Sequence, residues 1–301
     1  GYFVSATVKH QGRAQEVRGK ALVAACGGFE ANIDWLKQYW GEAADNFIVR
    51  GTPYNTGVVL RMLLDSGVGA VGDPTQCHAV AIDARAPKFD GGIATRLDSV
   101  VFGIMVNRDA QRFYDEGEDT WPKRYAIWGR LVAQQPGQIA YSIIDSQSLR
   151  LFMPSIFPAI AAGSIAELAS KLSLGPAALE KTIADFNAAV RPGTFDHTVL
   201  DDCATEGLAI PKSHWARRID KPPFYAYPLR PGITFTYLGV RVNPESRMLL
   251  ANGKPTGNMF AAGEIMAGNV LGKGYLAGIG MTIGAVFGRL AGQGAASHAR
   301  N

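Results

Sequence analysis

The sequence has no clean run of about 18 apolar residues, the minimum a membrane-crossing helix needs. The best window, residues 276–296, is broken by glycines, Arg289 and Gln293, and reads as a packed helix. Charge of one sign is scarce too. Thirty basic against 26 acidic residues leave a net +4, too little to argue for a nucleic acid partner. Cysteine is sparse: Cys26, Cys77 and Cys203 are far apart and lack metal-ligand spacing. A disulfide framework is therefore not expected, and a reducing, cytoplasmic compartment fits. Read most simply, they are three small buried side chains. A G-x-G-x-x-G strand–turn–helix for a dinucleotide is missing as well.

Glycine, by contrast, is plentiful at 35 residues, and 47% of the chain is hydrophobic. That is enough for a large core and one or two domains. The glycines concentrate near the end, around GNMFAAGEIMAGNVLGKGYLAGIGMTIGAVFGRLAGQGAA. Residues 259–262 read as a short buried strand that stops at Gly263-Glu264. A glycine-rich loop and an apolar Gly/Ala-spaced helix through about Arg289 follow. Strand, acid, glycines and helix start together suit a flat, phosphate-bearing cofactor. Glycines admit close backbone approach, a helix N-terminus offers N–H groups, and the acid accepts from a hydroxyl.

Upstream, residues 2–9 and 16–20 flank Gln11-Gly12 and read as a hairpin. Residues 20–25 form a strand ending in Cys26-Gly27-Gly28-Phe29, where backbone or cofactor can come close. Residues 33–40 look helical. Asn55-Thr56-Gly57 caps a second helix through Asp65, closed by Ser66-Gly67. A strand is expected at 100–106, followed by Asn107-Arg108-Asp109-Ala110-Gln111-Arg112-Phe113. Residues 140–145 read as another strand. Ser164-x-x-Glu167 is a capping box for a helix to Leu172, and 176–190 is a further helix. Residues 191–221 are loop-rich; His197 and His214 fit no pattern.

Taken together, Ala262–Glu264, Ala277-Gly278 and Phe287-Gly288-Arg289-Leu290-Ala291-Gly292 resemble the C-terminal signature of the FAD-dependent fumarate reductase and succinate dehydrogenase flavoproteins. The Gly27-Gly28-Phe29 strand end with Asn32, the Arg112-Phe113 marker with Glu116, and Lys221-Pro222-Pro223-Phe224-Tyr225-Ala226 resemble it too. Within the family the likeness is greatest to tricarballylate dehydrogenase. The resemblance implies an α/β FAD-binding domain, incomplete and Rossmann-like, interrupted by an α+β capping domain. The expected segments are 1–77 and 229–301 for the FAD domain and 78–228 for the cap. It also implies an ADP-binding segment upstream of Gly1, so this chain is expected to be the C-terminal part of a longer protein, with any targeting segment on the missing part.

The resemblance assigns roles residue by residue. Gly27, Gly28, Glu264, Gly278 and Ile279 would hold FAD, with Glu264 on the ribitol. His78, Thr95, Arg96, Thr234, Lys273 and Tyr275 would contact substrate. Arg124 would move the proton, with Lys123 and Tyr125 left open as alternatives. Departures matter here. Val58 stands where relatives carry an acid. Arg96 replaces a glutamate and Ser99 an arginine, so the fumarate reductase proton pathway is broken. An arginine at 96 suits an extra carboxylate, because it pairs bidentately and keeps its charge; read plainly, it is a solvated surface side chain. Neither Thr234 nor Phe235 is the family histidine, and Tyr275 stands in for a second arginine.

The expected function is FAD-dependent desaturation of a small polycarboxylate, of the tricarballylate-to-aconitate type. A fumarate reductase-like or 3-ketosteroid Δ1-dehydrogenase-like flavoenzyme is the alternative. From another class, an inactive substrate-binding cap fragment remains. The resemblance further implies a separate electron-acceptor protein linked to quinone, haem or iron–sulfur centres, and with it a peripheral place at the inner face of a membrane.

Overall fold

The computed structural model describes residues 1–89 and 94–300. The chain forms two compact units, one made of Gly1–Tyr39, Pro53–His78 and Phe235–Asn301, the other of Trp40–Thr52 and Ala79–Thr234. Residues 40–52, read from sequence with the FAD domain, cluster with the second unit.

In the first unit, alternating strands Ser5–His10 and Arg13–Arg18 pair antiparallel. The tight turn works because Gln11 (φ 48°) and Gly12 (φ 79°) both adopt left-handed backbone, the twist that hairpins need. The strand Leu22–Ala24 runs parallel to Pro255–Ala261, with Met259 opposite Leu22 and Ala261 opposite Ala24. Arg247–Leu249 pairs on the other side of Pro255–Ala261. The helix Ile279–Arg300 covers this small sheet, packing Ala291, Phe287 and Ala295 on Phe260 and Ala262. Its glycines allow that approach: a side chain at Gly294 would press into the Phe260 ring. The helix runs beyond the expected stop at Arg289, since the Ala/Gly-rich tail contains no breaker stronger than glycine. Parallel pairing has a functional consequence. The carboxyl ends of both strands, Gly27-Gly28 and Gly263-Glu264, emerge at one edge, the place where α/β sheets bind ligands.

The second unit is built on a six-stranded sheet. Its longest strand, Phe224–Thr236, pairs antiparallel with Ala140–Asp145, which pairs antiparallel with Ile104–Asn107. Ile48–Val49 joins in parallel and Ile160–Ala162 antiparallel, and Cys77–Asp83 also pairs with the long strand. One face buries Ile104, Ile143 and Ala226 against Leu168, Leu179 and Phe186 of the helices Ile165–Lys171 and Pro176–Ala189. The other buries Met105, Ile144 and Leu229 against Trp128 and Val132. The capping box forms: Glu167 N donates to Ser164 Oγ at 3.2 Å, and the Glu167 carboxylate accepts the N–H of Gly163 at 2.8 Å.

The strand expected at 100–106 splits. Asp98–Phe102 is a 3-10 turn and only Ile104–Asn107 is strand. A short apolar run does not by itself distinguish the two, and a distant side chain decides it. Lys212, 1% exposed, donates its Nζ to the carbonyls of Val101 (2.8 Å) and Gly103 (2.5 Å). These bonds stand in for ladder partners. Burial pushes the Lys212 ammonium down to about 8. Lys212→Ala, which leaves two carbonyls unpaired and a cavity, is expected to destabilise the protein by about 3 kcal/mol in urea unfolding.

Candidate functional site

At the edge where the two parallel strands end, Gly27 sits at φ 78°. A side chain there would run into the Asn55 amide, and one at Gly28 into the Thr236 hydroxyl and the Glu264 carboxylate. Only glycine fits either position. Around them a polar cluster closes. Thr236 donates its N–H (2.8 Å) and hydroxyl (3.2 Å) to Glu264 Oε1. Thr236 Oγ1 accepts from Phe29 N at 3.2 Å. The Asn55 amide donates to Glu264 Oε2 at 3.3 Å and also to Glu30.

Two carboxyls thus share one amide. Desolvation, then the charge of Glu30, pushes Glu264 well above the usual carboxylate range, and desolvation raises Glu30 as well. Two acceptors can meet only through a shared proton, so the pair favours one protonated member. The sign follows. A folded-state pKa raised above the unfolded value gives a contribution that is full below about pH 4.3 and lost as pH climbs through the raised value. Glu264→Gln in protein stripped of cofactor is therefore expected to melt near the wild-type temperature at pH 4 and above it at pH 8. Equal melting at both would remove the shared proton from the account.

The glycine loop leads into the helix Ile279–Arg300. Gly278 adopts φ 90°, and a side chain there would meet nothing within 4 Å. Tyr275 Oη accepts from Gly280 N at 2.9 Å, capping the helix start. The Tyr275 ring lies 4.0 Å from the ring of His78 and 5.9 Å from that of Phe235. The first unit therefore brings together two of the residues expected to contact substrate, His78 and Tyr275. Lys273 is exposed on the same loop.

In the second unit, Thr95 is buried and its carbonyl accepts from Asp83 N. Arg96 is no solvated surface side chain. It makes a two-point ion pair with Asp98 (Nε–Oδ1 2.8 Å, Nη2–Oδ2 2.8 Å) and lies over the Tyr125 ring at 5.1 Å. Asp98 also accepts from Trp121 Nε1 at 2.8 Å. Trp121 opens the short helix Trp121–Arg124, so the surroundings of Arg96 and Arg124 are joined through Asp98 and Tyr125. Arg124 pairs with Glu118 at 3.0 Å. Of the two alternatives at this position, Lys123 is turned outward to Asp119 at 3.2 Å, and Tyr125 is buried beneath Arg96. Thr234 accepts from Arg50 Nη1 at 3.1 Å.

Sequence reading missed Glu30, Asn55 and Thr236 around Glu264, Arg50 beside Thr234, and Glu118 beside Arg124. Asn55 reads as part of a helix cap, yet Gly57 is the N-cap without a side-chain bond and the Asn55 amide turns to Glu30 and Glu264. Arg50 follows the short strand Ile48–Val49, which delivers it to the end of the long strand; the others stand in unremarkable stretches. Among the described residues no helix is long and apolar enough to cross a membrane, and no group of three or more His, Cys, Asp or Glu could hold a metal ion.

Comparison with known proteins gives a consistent setting. A family model described as FAD binding domain matches residues 1–281. The chain is 28% identical over 298 residues to a probable fumarate reductase, Ifc3, of Shewanella frigidimarina (strain NCIMB 400), covering 97% of this chain and 46% of that protein. It is 28% identical over 287 residues to the NADH:acrylate oxidoreductase of Vibrio harveyi, covering 91% and 26%. The open conformation of a flavocytochrome c3 fumarate reductase superposes with a TM-score of 0.70 at 25% identity, over 99% of this chain and 50% of that one. The chain thus spans less than half the length of these curated relatives.

The residues present fit FAD. At Gly27 and Gly28 the backbone lies directly against Asn55, Thr236 and Glu264, with no room for a side chain. Glu30 Oε2 is buried with no hydrogen-bond partner among the described residues. The Glu264 cluster offers acceptors for sugar hydroxyls, and open backbone at Gly278 suits a flat ring.

Proposed function

The chain belongs to the FAD binding domain family, with FAD as its cofactor, and from that premise we propose that the protein is an oxidoreductase acting on a carbon–carbon bond next to a carboxylate. The finer reading is desaturation of a small polycarboxylate of the tricarballylate type, or its reversal. The observation that carries it is the arginine set of the second unit: Arg96 held by Asp98, Arg124 held by Glu118, and Arg50 beside Thr234.

When bound, FAD supplies a two-electron hydride acceptor or donor. The chain's own residues do the rest. A proton next to a carboxylate is weakly acidic, so cations on that carboxylate must stabilise the enolate-like charge that develops. Arg96 and Arg50 take this role, with Thr95 and Thr234 of the same unit fixing the pose; in the first unit, His78, Lys273 and Tyr275 are the groups available to a substrate. Fixing the pose matters because both hydrogens must be in reach at once. Arg124 holds and moves the proton. Support for Arg124 over Lys123 and Tyr125 is that its guanidinium alone of the three is neither turned outward nor buried under another cation. Glu264 and Thr236 would take the ribitol hydroxyls, and Gly27, Gly28, Gly278 and Ile279 would hold the rest of the cofactor. The first unit is the cofactor body and the second the cap. Electrons pass to a separate acceptor protein, for which a quinone, haem or iron–sulfur link is the expectation.

A second reading, reduction or desaturation beside a ketone as in ketosteroids, is favoured by Tyr275, whose hydroxyl can polarise a carbonyl. The arginine set opposes it, because a steroid carries no carboxylate. The test uses the complete protein with an artificial electron acceptor. Tricarballylate, succinate and a 3-ketosteroid are supplied in turn, and the alkene product is identified by proton NMR. Product from tricarballylate alone supports the finer reading; product from the steroid alone overturns the carboxylate reading.

A further inference from the structure

The residues that resemblance places in the proton pathway of fumarate reductases cannot conduct here. Arg96 is locked to Asp98, and the Ser99 hydroxyl is buried against Ser142 Oγ at 2.9 Å, both side chains fully enclosed. Neither offers a carboxylate in contact with solvent. Yet a proton must reach or leave Arg124 in every turnover of the reading proposed above.

A different chain of groups meets that need. Arg124 Nη2 lies 3.0 Å from Glu118 Oε1, and the two side chains are 36% and 35% exposed. Glu118 Oε2 accepts from Tyr114 Oη at 2.6 Å. Tyr114 packs edge-on against Trp128, 5.7 Å between ring centres at 85°, and Trp128 is only 1% exposed. The segment carrying Arg124 runs directly into that tryptophan. The buried ring fixes the Tyr114 end of the Tyr114–Glu118–Arg124 line, and the turn Tyr125–Ile127 that leads into it carries the Arg124 end. The other charged groups nearby are already engaged: Asp115 with Ser213 and Gly117, Asp119 with Lys123.

We propose that Glu118 relays protons between solvent and Arg124, with Tyr114 as its positioning residue. This rests on Arg124 being the proton-transfer group. In the reducing direction an Arg124 N–H gives its proton to the substrate carbon, leaving a neutral guanidine. Glu118, a carboxylate in the resting ion pair, takes a proton from hydronium at its exposed face and passes it to that nitrogen, which restores the ion pair. A neutral guanidine is a strong base, so this transfer is downhill. In the oxidising direction each transfer reverses. Tyr114 does not ionise in the cycle: desolvation and the neighbouring Glu118 charge push its phenol up to about 12, so it stays a donor. It holds the carboxylate with its other oxygen toward Arg124.

The test compares Glu118→Gln, Glu118→Ala and Tyr114→Phe in the complete flavin-loaded protein. Glu118→Gln is expected to lower kcat about 10- to 100-fold, enlarge the solvent deuterium isotope effect on turnover and leave the substrate Kd unchanged. Added imidazole restores part of the Glu118→Ala turnover in proportion to its concentration. Tyr114→Phe loses a few-fold, about one hydrogen bond's worth, and keeps the enlarged isotope effect. In cofactor-free protein, 15N NMR of the Arg124 side chain shows the ion pair in the wild type and its loss in Glu118→Gln. Turnover of Glu118→Gln within about twofold of wild type overturns the relay, as does a loss seen wholly in Kd, which marks Glu118 as an anchor only. Failure of the underlying reading looks different: an Arg124 variant then keeps wild-type turnover whatever stands at 118.

Discussion

Replacing Arg124 by glutamine lowers turnover by about 10³- to 10⁴-fold, the scale of a lost general acid or base, while substrate affinity changes little. The expectation follows from what the guanidinium touches. Its Nη2 is tied to Glu118, but its Nε is buried without a hydrogen-bond partner among the described residues. The group is thus held in place yet incompletely satisfied, the state expected of a side chain that completes its bonding on substrate. Glutamine keeps length and polarity and removes the transferable proton with the charge. Lysine is the discriminating second variant. It restores the charge but lacks the planar fork, so it should bind substrate normally and recover only part of the rate. If Arg124→Gln instead raises KM with kcat intact, Arg124 contributes uniform binding and the proton passes elsewhere.

Gly28→Val abolishes cofactor retention. Even the first added carbon falls on the Thr236 hydroxyl and the Glu264 carboxylate. The Thr236 side chain is fixed from both sides, accepting from Phe29 N and donating to Glu264, so it cannot swing away without breaking the cluster. We expect FAD content after purification to fall at least about tenfold, with the far-ultraviolet spectrum unchanged, since the second unit and its two cores are untouched. Gly278→Ala is the contrasting substitution. Its side chain meets no protein atom within 4 Å; its effect comes from the left-handed backbone at φ 90° and should cost about 1 kcal/mol in affinity or stability rather than the cofactor itself.

Much of this was legible in the chain, for local reasons. A two-residue Gln11-Gly12 turn between alternating strands announces its hairpin, residues 33–40 and 140–145 carry patterns complete enough to set their own ends, and the helix read over 176–190 ends one residue earlier, at Ala189. Gly27, Gly28 and Glu264 stand out in the sequence because each lies at the end of a short apolar strand. What surrounds them does not. Asn55 lies 209 positions from Glu264 and Thr236 lies 207 from Phe29, and the one pattern at either, the cap at residues 55–57, marks a helix start and not this cluster. Glu118 was hidden otherwise. It stands six residues before Arg124, a spacing that faces nothing on a regular helix, and the two meet only because the loop before Trp121 folds back. Residues 98–102 went astray because Lys212, over a hundred residues away, supplies the hydrogen bonds that let that run leave the sheet.

The most direct test of the proposed chemistry is anaerobic stopped-flow absorbance of the complete FAD-loaded protein. Oxidised flavin is mixed with tricarballylate in one series, and chemically reduced flavin with aconitate or fumarate in another. The account predicts a substrate-dependent change of the flavin band in at least one series, slowed by Arg124→Gln and not reproduced by a 3-ketosteroid. A flavin band that no polycarboxylate changes in either direction, but that the steroid bleaches, would contradict it.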